Sequence, residues 1–325
     1  MQFYKSYGSY REAWNKASEE DPPLPLNLDI ELASLCSLAC SYCYWGESEF
    51  KNEMKALDWD GLPKKRFMPT ELACKLIDEA SEIGIPSIKM NARGESVLHP
   101  DYSEILQYAG SKKSFHEILV NSHGNCRDEA IDGYMAATKV MISLDSALPD
   151  LYPKLRIGGN FERVVKTIKE LQKRNHSNLW VRRVISNINK HEDFVANCHK
   201  LFGSDIKVSE HFSFDRNRHI NSNIHGEDPG QWERQFCGYP AQRLLITSSG
   251  AALPCCVDWK MEMIIGFYPK QSLMEIWNGD KINNLRDELK NNILKSEICR
   301  NCTSYLAYKR PERNYVQDVL GRASL

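Results

Sequence analysis

Between residue 26 and about 212, short apolar or β-rich runs alternate with amphipathic stretches of helical period. This is the pattern of repeated β-α units around a parallel sheet. Strands are expected at 27–34, 86–92, 117–121, 139–145, 179–186 and 205–212, with helices between them. In "FERVVKTIKEL", Phe161, Val164, Val165, Ile168 and Leu171 keep the i, i+3, i+4, i+7 spacing of one buried helix face, and Asn160 is placed to cap it. Leu72, Leu76, Ile77, Ala80 and Ile83 form a second stripe after Pro69-Thr70. Six units joined by right-handed crossovers predict an α/β fold, a partial (β/α)6 TIM-like barrel, short of the eight units that close one. In such a barrel, chemistry collects at the carboxyl ends of the strands.

After residue 212 the alternation stops. Residues 213–236 are polar with little period and read as a linker. "RLLITSSGAALPCCVDW" predicts a β-hairpin turning at Ser249-Gly250, followed by a helix around "SLMEIWNGDKINNLRDELKNN" and by "CRNC". The organisation expected is an N-terminal extension over 1–25, the barrel over 26–212, the linker, a small cysteine-rich hairpin/helix domain over 237–302 and a tail over 303–325. The long excursion 44–69 reads as a lid or a disordered segment, with Tyr44, Trp45 and Trp59 favouring packing over disorder.

Charge narrows the functional classes. Lys and Arg number 42 against 43 Asp and Glu, a net charge of -1, which lacks the footprint of a general nucleic-acid binder. The polar start "MQFYKSYGSYREAWNKASEED" and the lack of any membrane-length apolar run predict a cytoplasmic protein with no membrane partner. There are 11 cysteines, an odd number with close spacings, which points to metal binding or catalysis over a disulfide framework.

"ELASLCSLACSYCYWGE" places Cys36, Cys40 and Cys43 directly after the first expected strand. Three thiolates can hold three corners of a four-iron cubane and leave the fourth iron open. A partial zinc site or three incidental thiols are the alternatives. With Tyr42 before the last cysteine, the C-x-x-x-C-x-x-C pattern resembles the radical S-adenosylmethionine superfamily. In that family a Gly-Gly-Glu-Pro-like motif ends the second strand and receives the cofactor's amino group. "NARGESVLHP" is similar, with Gly94 and Glu95 in place, but Arg93 and Ser96 stand where the first glycine and the proline are expected. "VNSHG" resembles the end of the third strand. "ISLDSALPDLYPKLRIGGNFERVVKTIKEL" resembles the fourth strand and following helix of family members that carry an extra cysteine-rich domain. The resemblance implies that Ser143 meets the cofactor ribose and Arg156 its carboxylate, so Tyr42, Gly94, Glu95, Ser143 and Arg156 are the cofactor-binding candidates. It further implies reductive cleavage of S-adenosylmethionine to a 5′-deoxyadenosyl radical that takes a hydrogen atom from substrate.

Cys237, Cys255, Cys299 and Cys302 form a second group, and no cysteine follows Cys302. Four cysteines can equally hold zinc. With "GAALPCC", "EIWN" and "NNLRDEL", however, the segment resembles the shortened SPASM domain termed Twitch, which implies one auxiliary [4Fe-4S] cluster. Cys256 is then a spare, and Cys74, Cys126 and Cys198 are buried small hydrophobes. On the sixth strand Glu210 and His211, with Asp215 beyond, and on the fifth Arg182 or Arg183, are within possible reach of substrate; the sequence assigns none of them as acid or base. About thirty residues precede the triplet, too few for a peptide-docking domain, which favours a small polar, sugar-like substrate over a peptide or protein side chain. An external reductant such as a flavodoxin or ferredoxin is implied. The rival class is a non-catalytic iron–sulfur or zinc module for electron transfer or interaction.

Overall fold

The computed structural model describes residues 3–17, 20–46, 67–212, 233–234, 237–302 and 308–309. The helices are α1 (Tyr7–Lys16), α2 (Thr70–Ile83), α3 (Tyr102–Ser111), α4 (Ala130–Ala136), α5 (Tyr152–Leu155), α6 (Phe161–Lys173), α7 (Phe194–Phe202), α8 (Tyr239–Gln242), α9 (Leu273–Trp277), α10 (Asp280–Lys290) and α11 (Glu297–Asn301). The strands are β1 (Asn27–Ile30), β2 (Ser87–Lys89), β3 (Glu117–Ser122), β4 (Lys139–Ser143), β5 (Leu179–Ile185), β6 (Lys207–Phe212), β7 (Glu233–Arg234), β8 (Arg243–Ile246), β9 (Ala251–Leu253), β10 (Gly266–Phe267) and β11 (Tyr308–Lys309). All six strands expected in the barrel are present and pair in parallel, β1 to β6 in chain order. Most of the lid reading, the linker and the tail fall on residues outside those described, apart from the short β7–β11 pair.

Local chemistry explains the elements. Asn160 caps α6 by accepting from the Arg163 amide at 2.8 Å, and Val164, Ile168 and Leu171 are fully buried on its inner face. Helix α2 stops at Gly84, whose φ of 90° lets its amide reach the Ala80 carbonyl. Leu76, Ile77, Val140, Ile142, Val164, Ile168 and Val181 share one core between sheet and helices. The opposite face of the strands looks into the barrel and is more polar. Its amino-terminal end is closed by α1: Tyr7 and Tyr10 donate to the two Glu117 carboxylate oxygens at 3.3 and 3.1 Å.

The cysteine-rich segment continues the barrel's sheet. Strand β8 pairs in parallel with β1, matching Asn27–Ile30 to Arg243–Ile246, and β9 and β10 add antiparallel beyond it. The nine-stranded order is β10-β9-β8-β1-β2-β3-β4-β5-β6. The β8–β9 hairpin turns where expected. Gly250 has φ 87°, and a Cβ there would stand 2.2 Å from the Tyr268 carbonyl oxygen, so no other residue fits.

Candidate active site

The loop after β1 carries the cysteine triplet and is tied to the end of α5 and the residues just after it. The Ala39 and Ser41 amides donate to the Ile157 and Leu155 carbonyls at 2.9 and 3.1 Å, and the Cys43 amide closes a turn on Cys40 at 3.0 Å. Burial pushes the Cys36 and Cys40 thiols up, and Cys36 is raised further by Glu95 and by Cys40 and Cys43, so these groups share one neighbourhood. Grouped, desolvated thiols ionise readily only against a cationic centre, as an iron–sulfur cluster provides.

Gly94 and Glu95 press against the start of that loop. A Cβ on Gly94 would lie 2.2 Å from the Ala33 carbonyl oxygen and 2.6 Å from that of Leu35, to which the Glu95 amide donates at 2.8 Å. Glu95 is buried, and its carboxylate accepts from the His123 amide at 2.8 Å. His123 comes from the "VNSHG" end of β3. Its Nδ1 accepts from the Asn125 amide, which leaves the proton on Nε2, 3.2 Å from Ser37 Oγ and 3.7 Å from Glu95. Burial holds this imidazole below its usual pKa, hence neutral.

Strand β4 ends at Ser143, which is half-buried beside Arg182 of β5. Asp145 then takes a left-handed φ of 63° and is fully buried. Its Oδ1 accepts from the Val184 amide at 2.7 Å, while Oδ2 meets the Tyr42 hydroxyl and the Arg156 Nε. Arg156 also points Nη1 at Cys40 Sγ, 3.5 Å away. The structure thus brings Tyr42 and Arg156 together and gives Arg156 a partner that sequence reasoning left out. The signal available in the sequence was the Asp two residues after Ser143 in "SLDS"; the left-handed turn at Asp145 breaks strand alternation there.

Cys237, Cys255, Cys299 and Cys302 line one cavity, walled by Pro240, Val257, Met263, Leu285, Leu289, Leu294 and Ile298. Burial with neighbouring Cys302, Cys299 and Cys256 pushes the Cys237 thiol up to about 12. Cys256 does not line the cavity; it reaches the Tyr239 hydroxyl at 3.6 Å and packs with Leu245, Ala251, Leu253 and Met261. Four soft donors on a cavity walled mainly by apolar side chains fit a thiolate-bound cluster.

The model of the radical SAM superfamily matches residues 30–201, more than half of the chain. The chain belongs to the radical SAM superfamily. A second model, SPASM, an iron-sulfur cluster-binding domain, matches residues 237–303. S-adenosylmethionine and [4Fe-4S] clusters are accordingly the cofactors of this radical SAM protein. It is 31% identical over 81 residues to the S-adenosyl-L-methionine-dependent 2-deoxy-scyllo-inosamine dehydrogenase of Niallia circulans, covering 25% of this chain and 32% of the relative. It is 26% identical over 226 residues to the antilisterial bacteriocin subtilosin biosynthesis protein AlbA of Bacillus subtilis, covering 67% and 46%. The chain spans between about a third and a half of the length of the curated relatives it matches. Among solved structures, BtrN in complex with AdoMet and 2-DOIA aligns at TM-score 0.59 and 17% identity over 88% of this chain and 95% of that one. Streptococcus suis SuiB bound to S-adenosylmethionine aligns at TM-score 0.62 and 14% identity, over 91% and 75%. At these identities the likeness is one of fold.

Within this radical SAM fold the remaining candidates separate. Arg183 pairs with Glu210, donates to the Asn189 and Glu192 carbonyls at 3.0 Å and lies 5.0 Å from the Phe194 ring of α7, so it braces the outer layer. Arg182 alternates to the other face, in register with Ser143 and Ser209. Asp215 lies outside the described residues. Among those described, no helix is long and apolar enough to cross a membrane.

Proposed function

We propose that this protein is a radical SAM oxidoreductase acting on a small, polar, hydroxyl-bearing molecule of sugar type, with Cys36, Cys40 and Cys43 holding the cofactor cluster and Cys237, Cys255, Cys299 and Cys302 an auxiliary one. The observation that supports the reading is the pairing of β8 with β1, which joins the strand just before the triplet to the β8–β9 hairpin that ends two residues before Cys255. When bound, these groups supply a hydrogen-atom acceptor and, at the second cluster, an acceptor for the electron left behind, so that an alcohol becomes a carbonyl and its hydroxyl proton passes to solvent. The chain's own residues bind and orient. Glu95 offers its buried carboxylate to the cofactor ammonium, Arg156 a guanidinium to the carboxylate, and Ser143 a hydroxyl to the ribose. Tyr42 braces Arg156 through Asp145, and Gly94 gives Glu95 its close approach to the cysteine loop.

Half-buried Asn91, Asn121, Ser143, Arg182 and Ser209 follow one another around the face opposite the core, a supply of donors and acceptors suited to hydroxyl groups. BtrN, whose complex holds 2-DOIA, matches the chain nearly end to end, which supports a small substrate. A peptide is the second reading, favoured by the long alignment with AlbA. A flavodoxin or ferredoxin is the proposed electron donor. Anaerobically reconstituted protein, given S-adenosylmethionine and dithionite, should form 5′-deoxyadenosine. Its rate should rise with aminocyclitols or hexoses and stay flat with peptides. No 5′-deoxyadenosine from fully loaded protein would end the enzyme reading.

A further inference from the structure

The cofactor motif of this chain inserts a charge where the family pattern has glycine, and the structure shows where that charge goes. Arg93 is 8% exposed and Glu31, at the carboxyl end of β1, is 0% exposed. Arg93 Nε and Nη2 donate to the two Glu31 oxygens at 2.7 Å each, a two-pronged pair, and the Arg93 amide adds a contact at 3.3 Å. Contacts then run to the segment after each cysteine group. The Arg93 carbonyl accepts from Trp45 Nε1 at 2.7 Å, two residues past Cys43. Nη1 donates to the Trp259 carbonyl at 3.1 Å, four residues past Cys255. The Ser248 amide and hydroxyl both reach Glu31 Oε1 at 3.3 Å from the β8–β9 turn. Beside Trp259, Asp258 staples its own loop by accepting from the Glu262 and Met263 amides at 2.9 and 2.8 Å.

We propose that Arg93, held by Glu31, is a positioning residue that sets the loop 255–263 against the cofactor motif Gly94–Glu95 and so holds the auxiliary cluster at a fixed place relative to the first. The proposal rests on the reading of Cys255 as a cluster ligand. Arginine suits the task because its planar fork meets the carboxylate with one edge and leaves a further donor for the Trp259 carbonyl; a lysine offers one point charge. Any shift of the loop breaks a part-buried, charge-assisted contact whose guanidinium is itself held by the buried Glu31, which makes the arrangement stiff. Electron transfer between redox centres falls steeply with distance, so stiffness here bears on coupling.

The test uses reconstituted holoprotein and three variants: Arg93→Gln, Arg93→Lys, and Glu31→Gln with Arg93→Gln, which removes both charges. Arg93→Gln should raise amide hydrogen exchange over 257–263 by roughly tenfold or more while β3 and β4 stay at the wild-type level. The reduced auxiliary cluster's paramagnetic resonance signal should change, and the shift that S-adenosylmethionine induces in the first cluster should remain. Arg93→Lys should recover part of the protection. If Arg93→Gln fails to fold, the double variant decides, since it leaves no unpaired buried charge and should show the same local loosening. Exchange that rises evenly across the barrel, or a loop as protected as wild type in the double variant, overturns the proposal. A wild-type protein whose signal ignores S-adenosylmethionine strikes the functional reading instead, and leaves the exchange result to judge Arg93.

Discussion

At the scale of single residues, the proposed site separates side chains expected to meet the cofactor from those that hold them in place. Glu95→Gln removes the charge proposed to meet the cofactor ammonium but keeps the shape and an oxygen that can still accept from the His123 amide. A charge-assisted hydrogen bond contributes about 1.5–3 kcal/mol, so the affinity for S-adenosylmethionine should fall roughly ten- to a hundredfold with iron content unchanged, read by equilibrium binding. Asp145→Asn should behave differently. It leaves the Arg156 guanidinium buried without its counter-charge, a loss of about 3–5 kcal/mol when one partner of a buried pair is removed, so the denaturation midpoint should drop as well as the affinity. An unchanged midpoint would show that Asp145 is dispensable to the fold. Glu95 and Arg156 became candidates in the sequence through the family resemblance of the segments that carry them. Asp145 and the Arg93–Glu31 pair were not, because each is completed by a residue 11 or 62 positions away that no local pattern links to it.

Elements were legible where a period repeats. The six barrel strands appear at the expected places, and β1, β2 and β4 stop two to four residues early because their carboxyl ends turn into loops at the site. What no period announces is how segments meet. Helix α1 carries few buried residues of its own, yet it closes the barrel through Tyr7, Tyr10 and Glu117. The turn between α6 and β5 is held in the same non-periodic way: His176 Nε2 donates to the Ala137 carbonyl at 3.0 Å and Nδ1 accepts from the Asn178 amide at 3.2 Å. Burial lowers the pKa of this imidazole below 6.5. Below that pH the unfolded chain binds a proton that the folded chain resists, so stability should fall as the medium is acidified from about 6.5 and level off below the folded value. His176→Gln should flatten that part of the pH–stability curve; a slope as steep as wild type would place its origin elsewhere.

At the scale of the whole molecule, one sheet joins the strand before the triplet to the hairpin before Cys255, and the two cysteine groups differ in the functions expected of them. The sequence separates a barrel from a cysteine-rich segment, but the parallel pairing of β8 with β1 spans more than two hundred residues and is invisible to any window of the chain. If Cys237, Cys255, Cys299 and Cys302 hold a cluster, the reconstituted protein should contain about seven to eight irons per chain, two four-iron cubanes. Changing Cys299 and Cys302 together to Ala removes ligands from α11 and its end, remote in the chain from β8 and β1, so the sheet should survive and roughly four irons should remain. Glu95, Ser143, Arg156 and the first triplet all lie in the barrel, so cleavage of S-adenosylmethionine should continue in this variant. Substrate oxidation should stop, because the electron left on the substrate has no acceptor. A wild-type content near four irons and one zinc would refute the second cluster. Full turnover by the double variant, with wild-type iron near eight, would make that cluster architectural and remove the main support for an oxidoreductase.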